Sequence, residues 1–420
     1  MEIVIAFIGA LIFLAHFFAE IFKRWKIPDV LPLMLLGVLV GPVLGWITPQ
    51  DLGQVGEVFT IIVLIIVLFE SGITLNLKTL KTTMASSLRL TIISFISVFA
   101  VVGIMASLFS SLSLIEGFIL AAILGGTSSV VVAPIVERLN FGQETQTRLI
   151  VESTLSDTLC IIATLGLVNY FLSQNFSWTL LGFELVITFL FPIILGVIAG
   201  IFWSFILKGV RHIENNIFAT PAFVFIVFGL VEFVDLSGAL AALAFGVALG
   251  NIHGFHLTET FHLLRKSRPL SLNRTEKNFL EEVVFLLKTF FFTYIGLSIT
   301  IGNEFVIIAS IVVVLLMLIL RIGAVFVSWS GENITAIEAS LAAVMIPKGL
   351  AAAALASLPL AQGIPGGELI QSVTYMVILF SVLVTAFLAF LLEGGWIMEP
   401  YRTAFQKFAP ISPTPPEEEK

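Results

Sequence analysis

The stretch Glu152-Ser153-Thr154-Leu155-Ser156-Asp157 sets two carboxylates and three hydroxyls into an apolar run that continues to about Phe171. An ionised carboxylate in hydrocarbon costs about 2.5–3.5 kcal/mol on insertion scales, so acids in such runs face a protein interior and serve ion or proton transfer. At about 100° per residue Ser153 and Asp157 share one helix face, whereas Glu152 and Asp157 point about 140° apart. The two acids are therefore expected to meet different partners. Asp157 reads as the titrating, ion-carrying carboxylate and Glu152 as half of a fixed internal ion pair. A proton or a dehydrated cation can neutralise Asp157, but not both together, and that competition is sufficient for exchange. Hard oxygens from Thr127, Ser128, Ser153 and Ser156 suit Na+ or K+ at Asp157 and no transition metal.

The surrounding chain is a membrane chain. Of its 420 residues 58% are hydrophobic and 12% charged, against about 25% charged in soluble domains. The net charge of -7 says little about nucleic acid, because the basic residues are sorted along the chain rather than gathered into a patch. A single cysteine, Cys160, excludes a disulfide framework and a thiolate metal cluster and reads as a small core residue. No cofactor is expected. Met1 to Ile21 lacks a basic leader and a cleavage site and is taken as the first span.

Apolar runs of spanning length fall near residues 3–22, 29–46, 57–75, 88–110, 115–137, 146–173, 179–207, 216–234, 237–251, 279–300, 304–328, 336–358 and 370–392. The expectation is an all-α polytopic protein of thirteen spans. Basic residues support that count. Those at 23–26, 78–89, 138–148, 208–211, 265–277 and 402–420 all fall on one side, and the opposite loops carry no Lys or Arg. The positive-inside rule then puts the N-terminus outside and the C-terminus in the cytoplasm. Lys288, Arg321 and Lys348 remain within spans.

Gly37-Val38-Leu39-Val40-Gly41 in span 2 matches Gly246-Val247-Ala248-Leu249-Gly250 in span 9, and Gly72-Ile73-Thr74-Leu75 in span 3 matches Gly296-Leu297-Ser298-Ile299 in span 10. Seven spans separate each pair, so the copies have opposite orientation: an inverted repeat of spans 1–6 and 8–13 joined by span 7. Spans 5 and 12, in register under that repeat, carry Gly125-Gly126-Thr127-Ser128-Ser129 and Pro347-Lys348-Gly349. Gly permits non-helical backbone and Pro removes a donor, so each span is expected to unwind for a turn where the two cross. Paired interruptions of this kind mark a transporter's ion site.

In these features the chain resembles the monovalent cation/proton antiporter superfamily, most closely its NhaP-like sodium/proton exchanger branch. Glu152, Ser153 and Asp157 match that branch's E-S-x-x-N-D motif, with Ser156 in place of the asparagine. Leu68-Phe69-Glu70-Ser71-Gly72 is similar to its L-F-E-G-G run, and Pro347-Lys348-Gly349-Leu350 to its R-G-A/L run. One departure stands out: the branch carries Thr-Asp in the span 5 break, and here Thr127-Ser128 resembles the potassium/proton efflux branch instead.

The resemblance implies Na+/H+ exchange, with K+/H+ exchange as the alternative, and pairs Arg321 with Glu152. It also implies a homodimer, with spans 1–3 and 7–10 as the dimerisation part and spans 4–6 and 11–13 as the moving core. With Glu152 held by Arg321, one carboxylate cycles, and the stoichiometry is expected to be electroneutral. Lys348 is expected to compensate carbonyls at the span 12 break, and Glu70 to line a cytoplasmic entrance.

His253, His256 and His262 read as solvated loop residues in the pH-sensing range, and His16 as an interface residue. Residues 1–392 are taken as one transmembrane unit, and residues 393–420 as a short disordered tail without a nucleotide-binding domain. The expected location is a prokaryotic plasma membrane, with lipid as the surroundings. A sodium-coupled solute symporter would need a larger polar pocket, a channel is poorly served by a lone buried acid, and no enzyme motif falls within a span.

Overall fold

The computed structural model describes residues 9–17, 30–49, 55–74, 77–139, 141–173, 178–213, 216–234, 236, 238–252, 270–299, 302–332, 334–405 and 408. Among them every regular element is helical. Residues 9–17 are helical and are followed by α1 (Val30–Val38), α2 (Val55–Thr74), α3 (Leu77–Phe109), α4 (Leu114–Leu124), α5 (Ser129–Arg138), α6 (Gln143–Ser173) and α7 (Trp178–Val210). Then come α8 (Ala219–Glu232), α9 (Gly238–Gly250), α10 (Arg274–Leu297), α11 (Glu304–Trp329), α12 (Ala336–Ala343), α13 (Leu350–Ala361), α14 (Gly367–Glu393) and α15 (Met398–Ala404).

Among the described residues five helices are each long and apolar enough to cross a membrane: Thr83–Phe109, Glu144–Leu172, Leu190–Leu207, Glu304–Trp329 and Gly367–Glu393. The shorter apolar helices include Leu114–Leu124 and Leu350–Ala361. These two are short because their spans are interrupted. α4 stops at Leu124 and the helix resumes as α5 at Ser129; α12 stops at Ala343 and the helix resumes as α13 at Leu350. Gly125-Gly126 weakens the first continuation. Pro347 prevents the second by removing a backbone donor and biasing Ile346 toward extended backbone.

Two sets of helices pack within themselves. In one, α9 lies against α2 and α7, and α10 against α1 and α2. In the other, α3 lies against α4, α6 and α11, and α14 against α11 and α13. Links between the sets are fewer and include α2 to α13, α1 to α14, α10 to α14 and α6 to α7. At one end of the second set Glu332 pairs with both Arg89 and Arg148, tying α3 and α6 to the turn after α11.

Close approach within the first set depends on glycine. A Cβ built on Gly37 would lie 2.2 Å from the Thr293 carbonyl oxygen and 2.9 Å from Gly296 Cα. One built on Gly246 would lie 2.3 Å from the Phe69 carbonyl oxygen and 3.1 Å from Gly72 Cα. These contacts join the matched sequence runs. Exchanging span 2 with span 9, and span 10 with span 3, turns the Gly37–Gly296 contact into the Gly246–Gly72 contact.

The expectation of a disordered tail needs correction. α15 packs on α12, and Phe405 and Phe408 beyond it are buried, Phe408 meeting Phe326 of α11 with ring centroids 6.3 Å apart. Burial of these two aromatic rings offsets part of the cost of ordering the segment. Residues 409–420 lie outside the described residues.

Gly37→Val and Gly246→Val should each lower the thermal stability of the detergent-solubilised protein by the equivalent of about 1–3 kcal/mol, as overpacking does. Gly323→Ala, where a Cβ meets nothing within 4 Å, should be silent. Equal melting temperatures for all three variants would contradict backbone-to-backbone packing at the two glycine contacts.

Candidate functional site

The two interruptions meet and satisfy each other's backbone. Ser128 N–H donates to the Pro347 carbonyl at 2.8 Å, and the Lys348 ammonium donates to the Gly126 carbonyl. Lys348 N–H goes to Ser381 Oγ at 3.0 Å, and the Thr385 hydroxyl goes to the Val344 carbonyl at 3.1 Å. Lys348 thus serves the break in the other span, not the carbonyls of its own. Its side chain is buried, so the charge acts within a low dielectric.

α6 passes close to the first break because Gly126 has no side chain: a Cβ there would lie 2.8 Å from Cys160 Sγ and 2.9 Å from the Ser156 carbonyl oxygen. Cys160 is buried. The proximity brings the polar groups of α6 to the unwound backbone. Thr127 N–H donates to Ser156 Oγ at 3.0 Å, and the Ser156 hydroxyl lies 2.9 Å from the Ser153 carbonyl and 3.3 Å from that of Thr127. The Ser153 hydroxyl donates to the Ile150 carbonyl at 2.9 Å. Ser128 is buried against the second break, where a Cβ on Gly349 would fall 2.1 Å from Ser128 Oγ.

Glu152 and Asp157 meet different partners. Arg321 grips Glu152 with two parallel bonds, Nη1 to Oε1 at 2.9 Å and Nη2 to Oε2 at 3.0 Å, and the residues are 3% and 1% exposed. The other guanidinium donors reach the Ala342 carbonyl at 3.2 Å and Ser94 Oγ at 3.1 Å. The Thr127 hydroxyl adds contacts of 3.2 and 3.1 Å to the two Glu152 oxygens. A planar fork with two further donors bonded is an arrangement in which a buried pair is tolerated.

Asp157 has no such grip. Its Oδ2 accepts a bond from the Ser129 hydroxyl at 3.1 Å and a long contact from Ser129 N–H at 3.5 Å. The residue is partly exposed, and no cation among the described residues stands within ion-pair distance of it. A salt bridge to Lys348 is not formed, since that ammonium is turned to Gly126. Beside the junction lies a cavity of about 10 Å³, close to the space one water needs, lined in part by Ser94, Ser97, Gly125, Thr127, Arg321 and Lys348.

Of the residues singled out in the sequence, the junction gathers Thr127, Ser128, Glu152, Ser153, Ser156, Asp157, Arg321 and Lys348. Glu70 lies apart, half-buried near the end of α2. His16 is exposed beside Phe285, with ring centroids 4.8 Å apart; His253, His256 and His262 fall outside the described residues. Among the partners not singled out are Ser129 and Ser94, with Ser381 and Thr385 at the second break. Ser129 carries the signal of being the first residue after the break, where an amide and a hydroxyl are both free to face an acid. Ser94 of α3 carries none.

Comparison with known proteins adds the family context. A family profile described as "Sodium/hydrogen exchanger, transmembrane" matches residues 4–393. A Na+/H+ antiporter of Methanocaldococcus jannaschii is 29% identical over 182 residues, covering 42% of this chain and 43% of its own. A K+/H+ antiporter NhaP of Alkalimonas amylolytica is 26% identical over 203 residues, covering 48% and 34%. The matched stretch spans less than half the length of either curated relative. The solved sodium proton antiporter MjNhaP1 of Methanocaldococcus jannaschii has the same fold, with a TM-score of 0.75 and 22% identity, over 92% of this chain and 100% of that one.

Removing Arg321 strands a buried carboxylate, a loss worth about 3–5 kcal/mol. Arg321→Met should therefore melt well below the wild type in detergent, and adding Glu152→Gln should restore much of the difference. A single variant as stable as the double variant would contradict the pairing as the reason both charges are kept.

Proposed function

Because this chain belongs to the sodium/hydrogen exchanger family, we propose that it is a secondary antiporter exchanging Na+, and also Li+, for H+ at the single carboxylate Asp157. The observation that carries the reading is the contrast between the two acids of α6. Glu152 is committed to Arg321, while among the described residues Asp157 is held by Ser129 alone, at the junction of two unwound segments.

The mechanism follows from charge. An ionised Asp157 attracts either a proton or a cation, and each ligand removes the charge that the other needs. The neutralised side chain crosses an apolar barrier at far lower cost than the bare carboxylate, so movement of the site is coupled to occupancy. Hard oxygen donors for the cation are assigned to Thr127, Ser128, Ser153 and Ser156, together with Ser129, the residue that contacts Asp157. With Glu152 neutralised by a permanent partner, one charge cycles and exchange is one cation for one proton.

The thirteen-span inverted repeat is part of this proposal. The exchange-related contacts at Gly37–Gly296 and Gly246–Gly72 support it. The sparse contact between the two helix sets supports a static dimerisation part (spans 1–3 and 7–10) and a moving core (spans 4–6 and 11–13). The protein is proposed to be a homodimer in a prokaryotic plasma membrane, with its C-terminus cytoplasmic. Glu70 is retained as a residue of the inner entrance. A second reading, K+/H+ exchange, draws on Ser128 standing where the sodium-exchanging branch has an acid, and on the potassium-exchanging relative from Alkalimonas amylolytica.

Purified protein in vesicles should show proton flux driven by Na+ or Li+ and little by K+. Asp157→Asn should abolish it, and an imposed membrane potential should leave the rate unchanged. Flux that persists in Asp157→Asn would contradict the single-carboxylate mechanism, acceleration by voltage would contradict electroneutrality, and a response to K+ alone would select the second reading.

A further inference from the structure

Both interrupted spans begin with a capping box, and the acid of each box makes a bond that capping does not require. At the start of α4, Ser113 N–H donates to Glu116 Oε2 at 2.7 Å, which completes the cap. The other oxygen, Oε1, accepts Gly366 N–H at 2.9 Å, and Gly366 lies in the link that leaves α13. At the start of α12, Thr335 N–H donates to Glu338 Oε2 at 3.0 Å and completes that cap. Its Oε1 accepts Gly142 N–H at 2.9 Å, and Gly142 lies in the link that leaves α5.

The arrangement is reciprocal. The start of each broken span holds the exit of the other, and exchanging span 5 with span 12 turns one clasp into the other. A third capping box shows that the feature is not generic. At α10, Glu276 Oε2 accepts Asn273 N–H at 2.7 Å, but the same carboxylate then pairs with Arg211 and takes no amide from a broken span. Bonds from N–H groups to a carboxylate at a helix N-terminus are charge-assisted and favoured by the helix dipole. Together with the Ser128–Pro347 and Lys348–Gly126 bonds at the crossing, the clasps close a frame around both breaks.

Both clasps are closed in one and the same conformation. Alternating gates on the two faces would place one open and one closed in a state that faces either side. We propose that Glu116 and Glu338 are positioning residues that clasp the two broken spans at opposite ends into one rigid frame. The junction holding Asp157 then keeps its geometry while it changes sides. The claim that the frame moves rests on the exchanger reading; the claim that it stays closed does not.

The test uses the full-length protein with cysteine pairs at 113 and 366 or at 142 and 335, positions that flank the clasps and leave Glu116 and Glu338 in place; the single native thiol, Cys160, is buried. Rates of cross-linking by a short bifunctional methanethiosulfonate are each divided by that of the matching single-cysteine variant at the same pH, because the thiolate is the reacting species. They should agree to within about twofold with Na+ at alkaline pH and without Na+ at acid pH, since bridging requires the pair to be close. Cross-linked protein in vesicles should keep its Na+-driven proton flux. Rates that change in opposite senses at the two clasps, or flux lost on cross-linking either pair, would overturn the frame. Glu116→Gln and Glu338→Gln keep one oxygen for the cap but present an NH2 to the glycine amide. Each should lower flux several-fold more than Glu276→Gln, and equal flux in all three would also overturn it. Because the cross-linking rates need no transport, a chain that exchanges nothing would still report on the frame.

Discussion

The structure depends on one requirement of hydrocarbon surroundings: backbone that leaves the helix must find partners within the protein. Two unwound segments placed against each other meet that requirement together. Ser128 N–H finds the Pro347 carbonyl, the Gly126 carbonyl finds the Lys348 ammonium, and Thr127 N–H finds Ser156 on α6. Neither break could be satisfied in the same way alone. The crossing therefore fixes where polar groups gather in an otherwise apolar interior, and it is there that α6 presents its two acids.

Those acids show how a helix assigns different work to similar side chains. Five positions apart on α6, Glu152 and Asp157 leave the helix in different directions. The one that faces α11 finds a guanidinium of matching geometry, together with the Thr127 hydroxyl. The one that faces the restart of span 5 finds a serine hydroxyl. A carboxylate with a bidentate cationic partner has its charge matched and its lone pairs engaged, whereas one with a single hydroxyl donor keeps lone pairs for a proton or a metal ion. The division between the acid held in an ion pair and the acid proposed to exchange ligands thus comes from helix phase and neighbour identity, not from any difference in the acids themselves.

Much of this was legible in the sequence, for identifiable reasons. Apolar runs report spanning length directly, and Gly125-Gly126 and Pro347 report where helix cannot continue, because both signals are local. The family was legible from Glu152, Ser153 and Asp157 in that setting. What the sequence could not supply was the direction in which side chains reach across the crossing. Thr127 turns to Glu152, Ser129 rather than Thr127 meets Asp157, and Lys348 reaches the break of span 5; each choice depends on the packing angle of three helices. The folded tail was missed for a related reason. Phe405 and Phe408 gain their burial from α11 and α12, which lie far away in sequence.

The central claim is that one carboxylate accepts either of two ligands and never both. Calorimetric titration of Na+ into the detergent-solubilised protein, repeated in buffers of different ionisation enthalpy, counts the protons released as the cation binds. The account predicts that the protons released per cation bound rise toward one as the pH falls below the titration range of the site and fall toward zero above it, with no release from Asp157→Asn. Cation binding with no linked proton release at any pH would contradict it.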